Sequence, residues 1–220
     1  MSTHLKPTRY LTRRTRIPML FTQRLELVEG TVELLRACMP YCPPVSEEAQ
    51  GWDRAAARAI ADQSSSLGAL LHARIPASWP PELLDQKALE WTIRHCEDTT
   101  LRGTAGNYYV ILREGVTRTL VGLVGYHTQP GSTPDTRVAV IGYGVVNEYQ
   151  RRGIATEATR ALIAELRRRP ALERITALTY PDHAASLGVM QKCGMKYVGA
   201  GEEQGTVQYE VIGIVGANKP

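Results

Sequence analysis

Between an apolar stretch that ends at Val146 and an amphipathic run that begins at Ile154 lies Gln150-Arg151-Arg152-Gly153-Ile154-Ala155-Thr156, where the sequence concentrates its chemistry. A loop that leaves a strand and opens a helix turns unpaired backbone N–H groups, and the positive end of the helix dipole, toward one spot. That spot attracts an anion. Gly153 lacks the Cβ that would hold a phosphate away, and Ala155 is nearly as small. Gln150, Arg151 and Arg152 can add donors from the rim, and a pyrophosphate is the anion that fits best. The same letters also describe a plain turn with two solvated arginines, so the loop alone leaves both readings open.

Other phosphate motifs fail. Gly142-Tyr143-Gly144-Val145-Val146-Asn147 begins like GxGxxG but ends in Asn, and its glycines lie inside the apolar run rather than after it. No GxxxxGK[ST] occurs, so dehydrogenase and P-loop ATPase readings are disfavoured. Among titratable groups, His127 follows an apolar strand and could serve as a base near neutrality, or could simply open a turn. Glu148 beside the loop reads as solvated, and His72 and His95 have no partner pattern. Cys38 and Cys42 straddle Pro40 while Cys96 and Cys193 stand apart, so no set has zinc spacing and a reduced, metal-free chain is expected.

The elements that must hold the loop are legible from periodicity. Ala155, Ala158, Thr159, Leu162, Ile163 and Leu166 form the apolar stripe of a helix over 154–169, with Arg167 to Arg169 in its last turn and Pro170 after it. Strands are expected at 24–28, 108–112, 119–126, 137–146, 175–180, 195–198 and 207–214, and a helix at 184–192. Helices are expected at 31–39, capped by Thr31, and at 46–62 and 85–98. Pro76, Pro80 and Pro81 interrupt regular structure between the last two. Trp52, Trp79 and Trp91 fall in this helical half, as core or as pocket lining. The pattern is that of a mixed α/β sheet of about six to seven strands with flanking helices. Strand 207–214 is expected at a sheet edge, where it could pair with a second copy in a homodimer or, equally, be covered by the chain itself.

At 220 residues, with 43% apolar and 22% charged residues, the chain can build a proper core and is neither disordered nor fibrous. Its longest apolar run, Ala139 to Val146, is far short of the roughly 18 residues a membrane span needs. Residues 1–20 carry Lys6, Arg9, Arg13, Arg14 and Arg16 without an acid. They read as a basic, solvated tail in preference to a nucleic-acid arm or transit peptide, and nucleic acid is disfavoured as a partner. With no secretory h-region, a cytoplasmic location is expected.

The loop Gln150-x-x-Gly153-x-Ala155 resembles the Gln/Arg-x-x-Gly-x-Gly/Ala acetyl-CoA loop of the GNAT acetyltransferases. His183-Ala-Ala-Ser186-Leu-Gly-Val189-Met-Gln-Lys192-Cys-Gly194-Met195 resembles that family's Asn-x-x-Ser-x-x-Val-x-x-Lys-x-Gly-Phe helix. Thr22-Gln-Arg24-Leu25-Glu-Leu27 and Ile141-Gly142-Tyr143 are similar to the branch containing the ribosomal-protein N-terminal acetyltransferases. The three matches stand in the family's order across 22–214, with 40–105 poorly matched.

The resemblance implies a GNAT-like fold with splayed parallel strands at 137–146 and 175–180. It implies acetyl-CoA bent between them as cosubstrate, and no metal. Pyrophosphate would rest on the amides of Arg151, Arg152, Gly153, Ile154, Ala155 and Thr156 beside Gln150. Pantetheine would pair with the backbone of Val145 and Val146, with Gly142 and Gly144 easing a bulge. His183 would take the place of the family's Asn, and Ser186 would lie near the thioester as a cofactor contact or acid. Met190 stands where many members carry an acidic tyrosine. A single domain over 21–220 is then expected, its helical segment 31–105 shaping the acceptor side and 106–214 carrying the sheet and acetyl-CoA site. The implied function is direct acetyl transfer to a primary amine. A lysine costs roughly 4.6 kcal/mol to deprotonate at pH 7 and an α-amine roughly 1.1. The lack of a paired-carboxylate or His/Asp constellation therefore favours a low-pKa acceptor such as a protein N-terminus or an amino sugar. The alternative is a non-catalytic acyl-CoA-binding sensor or partner module.

Overall fold

The computed structural model describes residues 19–44, 52–64, 66–82, 84–101, 103–131, 133, 135–169 and 171–211. The basic tail, but for its last two residues, and the start of the helix expected at 46–62 lie outside them. The chain divides into two compact units, residues 1–123 with 144–154, and residues 124–143 with 155–220.

The first unit opens with strands β1 (Met19–Phe21) and β2 (Leu25–Glu29), which pair antiparallel with Met19 opposite Val28. β1 takes up Met19 and Leu20, the last two residues of the expected tail, and Leu20 is buried, so the solvated tail cannot extend to residue 20; three residues are too little pattern to mark a strand. β2 pairs antiparallel with β3 (Ala105–Glu114), Leu25 opposite Leu112. The helices are α1 (Val32–Cys38), α2 (Arg54–Ser64), α3 (Leu67–Leu71) and α4 (Gln86–Glu97). Their starts follow capping chemistry. Thr31 Oγ1 accepts from the Leu34 N–H, and Asp85 Oδ1 accepts from the Ala88 N–H at 2.7 Å. The proline-rich stretch after α3 has no ladder to satisfy its carbonyls, so α2 supplies donors. Arg54 bonds the Ser78 and Pro80 carbonyls at 3.0 Å, and Arg58 those of Ile75 and Pro76. Trp79 is buried beneath this stretch against Tyr109, their rings 6.2 Å apart, whereas Trp91 lies on His95 and Trp52 under Arg54.

The charge within β2 is that of Glu26. It is buried between Leu25 and Leu27, and its carboxylate meets Arg118 at 2.5 Å and Arg113 at 3.9 Å. Arg118 also bonds the carbonyls of Leu71 and His72, and Arg113 those of Thr22 and Gln23, so one buried acid organises two loops.

β4 (Thr117–Pro130) and β5 (Arg137–Val145) each run through both units. The second unit continues with α5 (Ile154–Leu166), β6 (Leu172–Thr179), α6 (Ala184–Lys192), β7 (Met195–Ala200) and β8 (Val207–Val211). On α5, Ala158, Thr159, Leu162, Ile163 and Leu166 are buried, as the stripe demands, while Ala155 is half-buried. β5 and β6 pair in parallel, β6 and β8 antiparallel, and β8 and β7 antiparallel.

The strands form one eight-stranded sheet in the order β1-β2-β3-β4-β5-β6-β8-β7. The mixed α/β class holds, with eight strands in place of six or seven. β8 is not an edge. It lies between β6 and β7, with Ala177 and Tyr197 both opposite Tyr209, because the chain passes over one strand position after α6 and turns back to fill it. No helix among the described residues is long and apolar enough to cross a membrane.

Candidate acetyl-CoA site

In the second unit, β5 and β6 pair from Arg137 opposite Leu172 to Val140 opposite Thr176, with a register shift at Arg137/Val138. There the pairing ends, although β5 runs on to Val145 and β6 to Thr179. β6 keeps its bonds to β8 as far as Thr179 opposite Val207, so it is β5 that loses a partner at Ile141. Two parallel strands that start together and part leave backbone donors and acceptors on β5 for an extended ligand.

In the first unit, β5 ends against β4 by unusually close backbone approach. A Cβ on Gly122 would stand 2.3 Å from the Gly144 carbonyl oxygen and 3.2 Å from Val145 Cα. The Val146 N–H donates to the Val121 carbonyl at 3.0 Å, and the Val146 carbonyl accepts from the Tyr149 N–H at 2.9 Å. Val146 is buried with both backbone groups committed. Gly142 has open space around it, and Gly144 faces Pro81, whose Cβ would stand 3.1 Å from a Cβ there. The glycine that the approach demands is thus Gly122, on the neighbouring strand, where sequence reasoning had no reason to look.

The loop then turns through one 3-10 turn, Asn147–Tyr149. Gln150 points back into the loop, its Nε2 donating to the Val145 carbonyl at 3.0 Å and to Asn147 Oδ1 at 2.9 Å. Two left-handed residues follow almost in succession, Arg151 at φ +59° and Gly153 at φ +77°. Such a pair curls successive N–H groups into a concavity suited to an anion, immediately before the first turn of α5. For a non-glycine residue the left-handed region costs about 1–2 kcal/mol. Arg151→Gly is therefore expected to stabilise the protein by about 1 kcal/mol, read as a raised thermal midpoint. A midpoint below wild type would show that the side chain outweighs the strain.

Arg152 is turned from the rim toward other partners. Its guanidinium pairs with Glu114 at 2.9 Å and lies 5.2 Å above the Tyr149 ring, whose hydroxyl accepts from Arg74 at 2.7 Å. Arg24, 128 positions earlier, donates from Nη1 to the Arg152 carbonyl at 3.1 Å, and its Nη2 would lie 3.5 Å from a Cβ on Gly153.

On the second unit's side, His183 is the exposed residue before α6, with Nδ1 3.3 Å from the Thr179 hydroxyl at the end of β6. Ser186 is half-buried one turn into α6, and its carbonyl accepts from the Tyr143 hydroxyl of β5 at 3.0 Å. Burial pushes the Tyr143 phenol well above the ordinary tyrosine range, although the bond to Ser186 pulls the other way. Tyr143 thus joins β5, past its divergence, to the helix bearing Ser186. The sequence offered it only as part of a strand resemblance. At the other end of α6, Cys193 Sγ lies 3.7 Å from the Thr156 carbonyl, and Arg160 bonds the Lys192 carbonyl, tying α6 to α5. Burial pushes the Cys193 thiol up to about 11, with Arg160 pulling it back. Met190 is buried as core. His127 stands half-buried inside β4, which runs three residues beyond it, so it does not open a turn. All four cysteines are free, and Cys38 and Cys42 are buried with their sulfurs 4.0 Å apart.

Residues 69–196 match the family model of the acetyltransferase (GNAT) domain. The chain belongs to the GNAT acetyltransferase family. Among solved structures, a candidate ribosomal-protein-serine acetyltransferase from Vibrio cholerae is 19% identical with a TM-score of 0.52, over 89% of this chain and 97% of that one. RimL, a ribosomal L7/L12 alpha-N-protein acetyltransferase, is 16% identical with a TM-score of 0.55, over 91% and 98%. MccE, a microcin C7 self-immunity acetyltransferase solved with acetyl-CoA and AMP, is 14% identical with a TM-score of 0.51, over 91% and 97%. At these identities the three share the GNAT fold with this chain. No curated protein matches the sequence.

Proposed function

We propose that this GNAT protein is an acetyl-CoA-dependent N-acetyltransferase acting on a primary amine. The observation that carries the reading is the parting of β5 from β6 after Val140 and Thr176, on a chain whose next loop holds Arg151 and Gly153 in left-handed conformations. An extended thioester ligand suits the unpaired part of β5, and its diphosphate suits the loop. Val145, whose carbonyl also accepts from Gln150 Nε2, is the pairing residue of this reading, since both backbone groups of Val146 are already used. Ile154, Ala155 and Thr156 supply the first amides of α5 beside Gln150, Arg151, Arg152 and Gly153. Ser186 on α6 and His183 just before it are the candidates to flank the thioester.

Acetyl transfer forms an N–C bond from the amine lone pair, breaks the C–S bond, and moves one proton from the amine to the departing thiolate. His127 is the candidate to take the amine proton, and Ser186 to supply one at sulfur. Holding the reactants in line can contribute several kcal/mol, up to about 7–11 in ideal cases. The preferred acceptor is a protein N-terminal α-amine, whose deprotonation is cheap near pH 7. The fold shared with two ribosomal-protein acetyltransferases supports the same direction.

Calorimetric titration with acetyl-CoA, NAD and ATP separately tests the cosubstrate, with selective binding of acetyl-CoA expected. Thiol release is then followed with a peptide bearing a free α-amine, the same peptide blocked at its N-terminus but carrying lysine, and an aminoglycoside. Release with the first alone is expected. Equal rates with lysine would end the α-amine assignment, and tight binding with no acceptor-dependent release across the panel would favour the acyl-CoA-binding module.

A further inference from the structure

Helix α6 is held unevenly. Its last turn is tied to α5, where Arg160 bonds the Lys192 carbonyl and Cys193 Sγ lies 3.7 Å from the Thr156 carbonyl. Its first turn has less to fix it. His183 makes no capping side-chain bond to the helix and reaches instead to the Thr179 hydroxyl at 3.3 Å. Ala184 and Ala185 are exposed, and the buried residue of the helix is Met190, toward its far end. The Tyr143 hydroxyl enters at this looser end, donating to the Ser186 carbonyl at 3.0 Å from the part of β5 that has left β6. Tyr143 is half-buried, and burial keeps its phenol protonated well past neutrality, so it remains a donor.

We propose that Tyr143 is a positioning residue for Ser186, its hydroxyl setting the distance between the diverged part of β5 and the first turn of α6. This role rests on the acetyl-CoA reading above, in which Ser186 supplies a proton at sulfur and the extended ligand lies along β5. A serine hydroxyl turns about a single side-chain bond, so once the backbone of its turn is fixed it can stand in few places. The bond from Tyr143 therefore relates the group that gives the proton to the strand that carries the thioester. An error of about 1 Å in such a relation can cost about 100-fold in rate, whereas binding of the diphosphate at the loop does not depend on it.

The test is a double-mutant cycle in the full chain, with Tyr143→Phe, Ser186→Ala and the pair. Tyr143→Phe keeps the ring and loses only the bond. Each protein is titrated calorimetrically with acetyl-CoA, followed for thiol release with the free α-amine peptide, melted, and compared by amide hydrogen exchange over α6, with rates taken where all four are folded. In Tyr143→Phe, kcat is expected to fall about tenfold, near the upper end for one neutral hydrogen bond, with Kd for acetyl-CoA within about twofold of wild type. Exchange over α6 is expected to quicken and the thermal midpoint to fall by roughly 2–4 °C. In the Ser186→Ala background the midpoint is expected to fall by the same amount while kcat falls no further, because the hydroxyl through which Tyr143 acts is gone.

Equal losses of kcat in the two backgrounds would make Tyr143 a structural tie with no link to the Ser186 hydroxyl and reject the proposal. A Tyr143→Phe kcat equal to wild type, with Ser186→Ala slowed, would reject it alone. A loss of acetyl-CoA affinity that matches the loss of kcat would make Tyr143 a cofactor-binding residue and overturn it as well. An unchanged kcat in Ser186→Ala would remove Ser186 from the chemistry and the positioning role with it. Failure of wild type to bind acetyl-CoA, or to release thiol with any acceptor of the panel, would remove the acetyltransferase reading and the proposal together.

Discussion

Gly153→Glu is expected to lower the affinity for acetyl-CoA about 100-fold or more, equivalent to roughly 2.7 kcal/mol. Two effects add. At φ +77° any side chain strains the backbone, by about 1–2 kcal/mol for an L-residue. On the proposed reading the carboxylate also enters the loop that receives the diphosphate. Arg24 Nη2 lies 3.5 Å from where the new Cβ would stand, and the added carboxylate repels the diphosphate of that reading. Gly153→Ala separates the terms, because it carries the strain without the charge and is expected to lose far less affinity. The pair is read by calorimetry at constant salt. If the glutamate variant binds as wild type does, the loop is a turn with solvated arginines and the phosphate site lies elsewhere.

Gly122→Ala is expected to cost about 1–3 kcal/mol of stability, the range for overpacking a closed site. For a chain of this length that is a fall of roughly 2–10 °C in thermal midpoint. The new methyl would stand 2.3 Å from a backbone oxygen, and no flexible side chain can move aside to admit it. The end of β5 must retreat, stretching the bond from the Val146 N–H to the Val121 carbonyl and shifting the strand that feeds the loop. Acetyl-CoA affinity is therefore expected to fall along with stability. Gly142→Ala is the control. It meets open space within the same pair of strands and should melt at or slightly above wild type, since glycine in a strand interior is entropically unfavourable. A Gly122→Ala midpoint equal to that of Gly142→Ala would refute the close-approach account.

What could be read beforehand and what could not divides along sequence distance. The helix at 184–192 was legible to the residue, and that of α5 to within its last turn, because period and flanking residues are local signals. The parting of the parallel strands at 137–146 and 175–180 came from resemblance, and its onset at Val140 and Thr176 came from the fold. The left-handed state of Arg151 was not readable, since arginine carries no preference for that region and the loop imposes it. The burial of Glu26 was not readable, because its partners Arg113 and Arg118 come from distant parts of the chain. Arg24 was visible as a motif letter. Its bond to the Arg152 carbonyl required the fold to close a separation of 128 positions. The placement of β8 inside the sheet was missed for a related reason, because an apolar strand at the end of a pattern looks like an edge until the return path of the chain is known.

That placement has a consequence for synthesis. β7 emerges from the ribosome before β8, yet it pairs with β8, which also pairs with β6. During translation the β7 segment must wait with its hydrogen-bonding groups in water until Val207–Val211 has cleared the exit tunnel. Among the described residues β8 is the last strand to be made and acts as the keystone of this half of the sheet, so a nascent chain halted before Val207 exposes the rim of β6 to other strands.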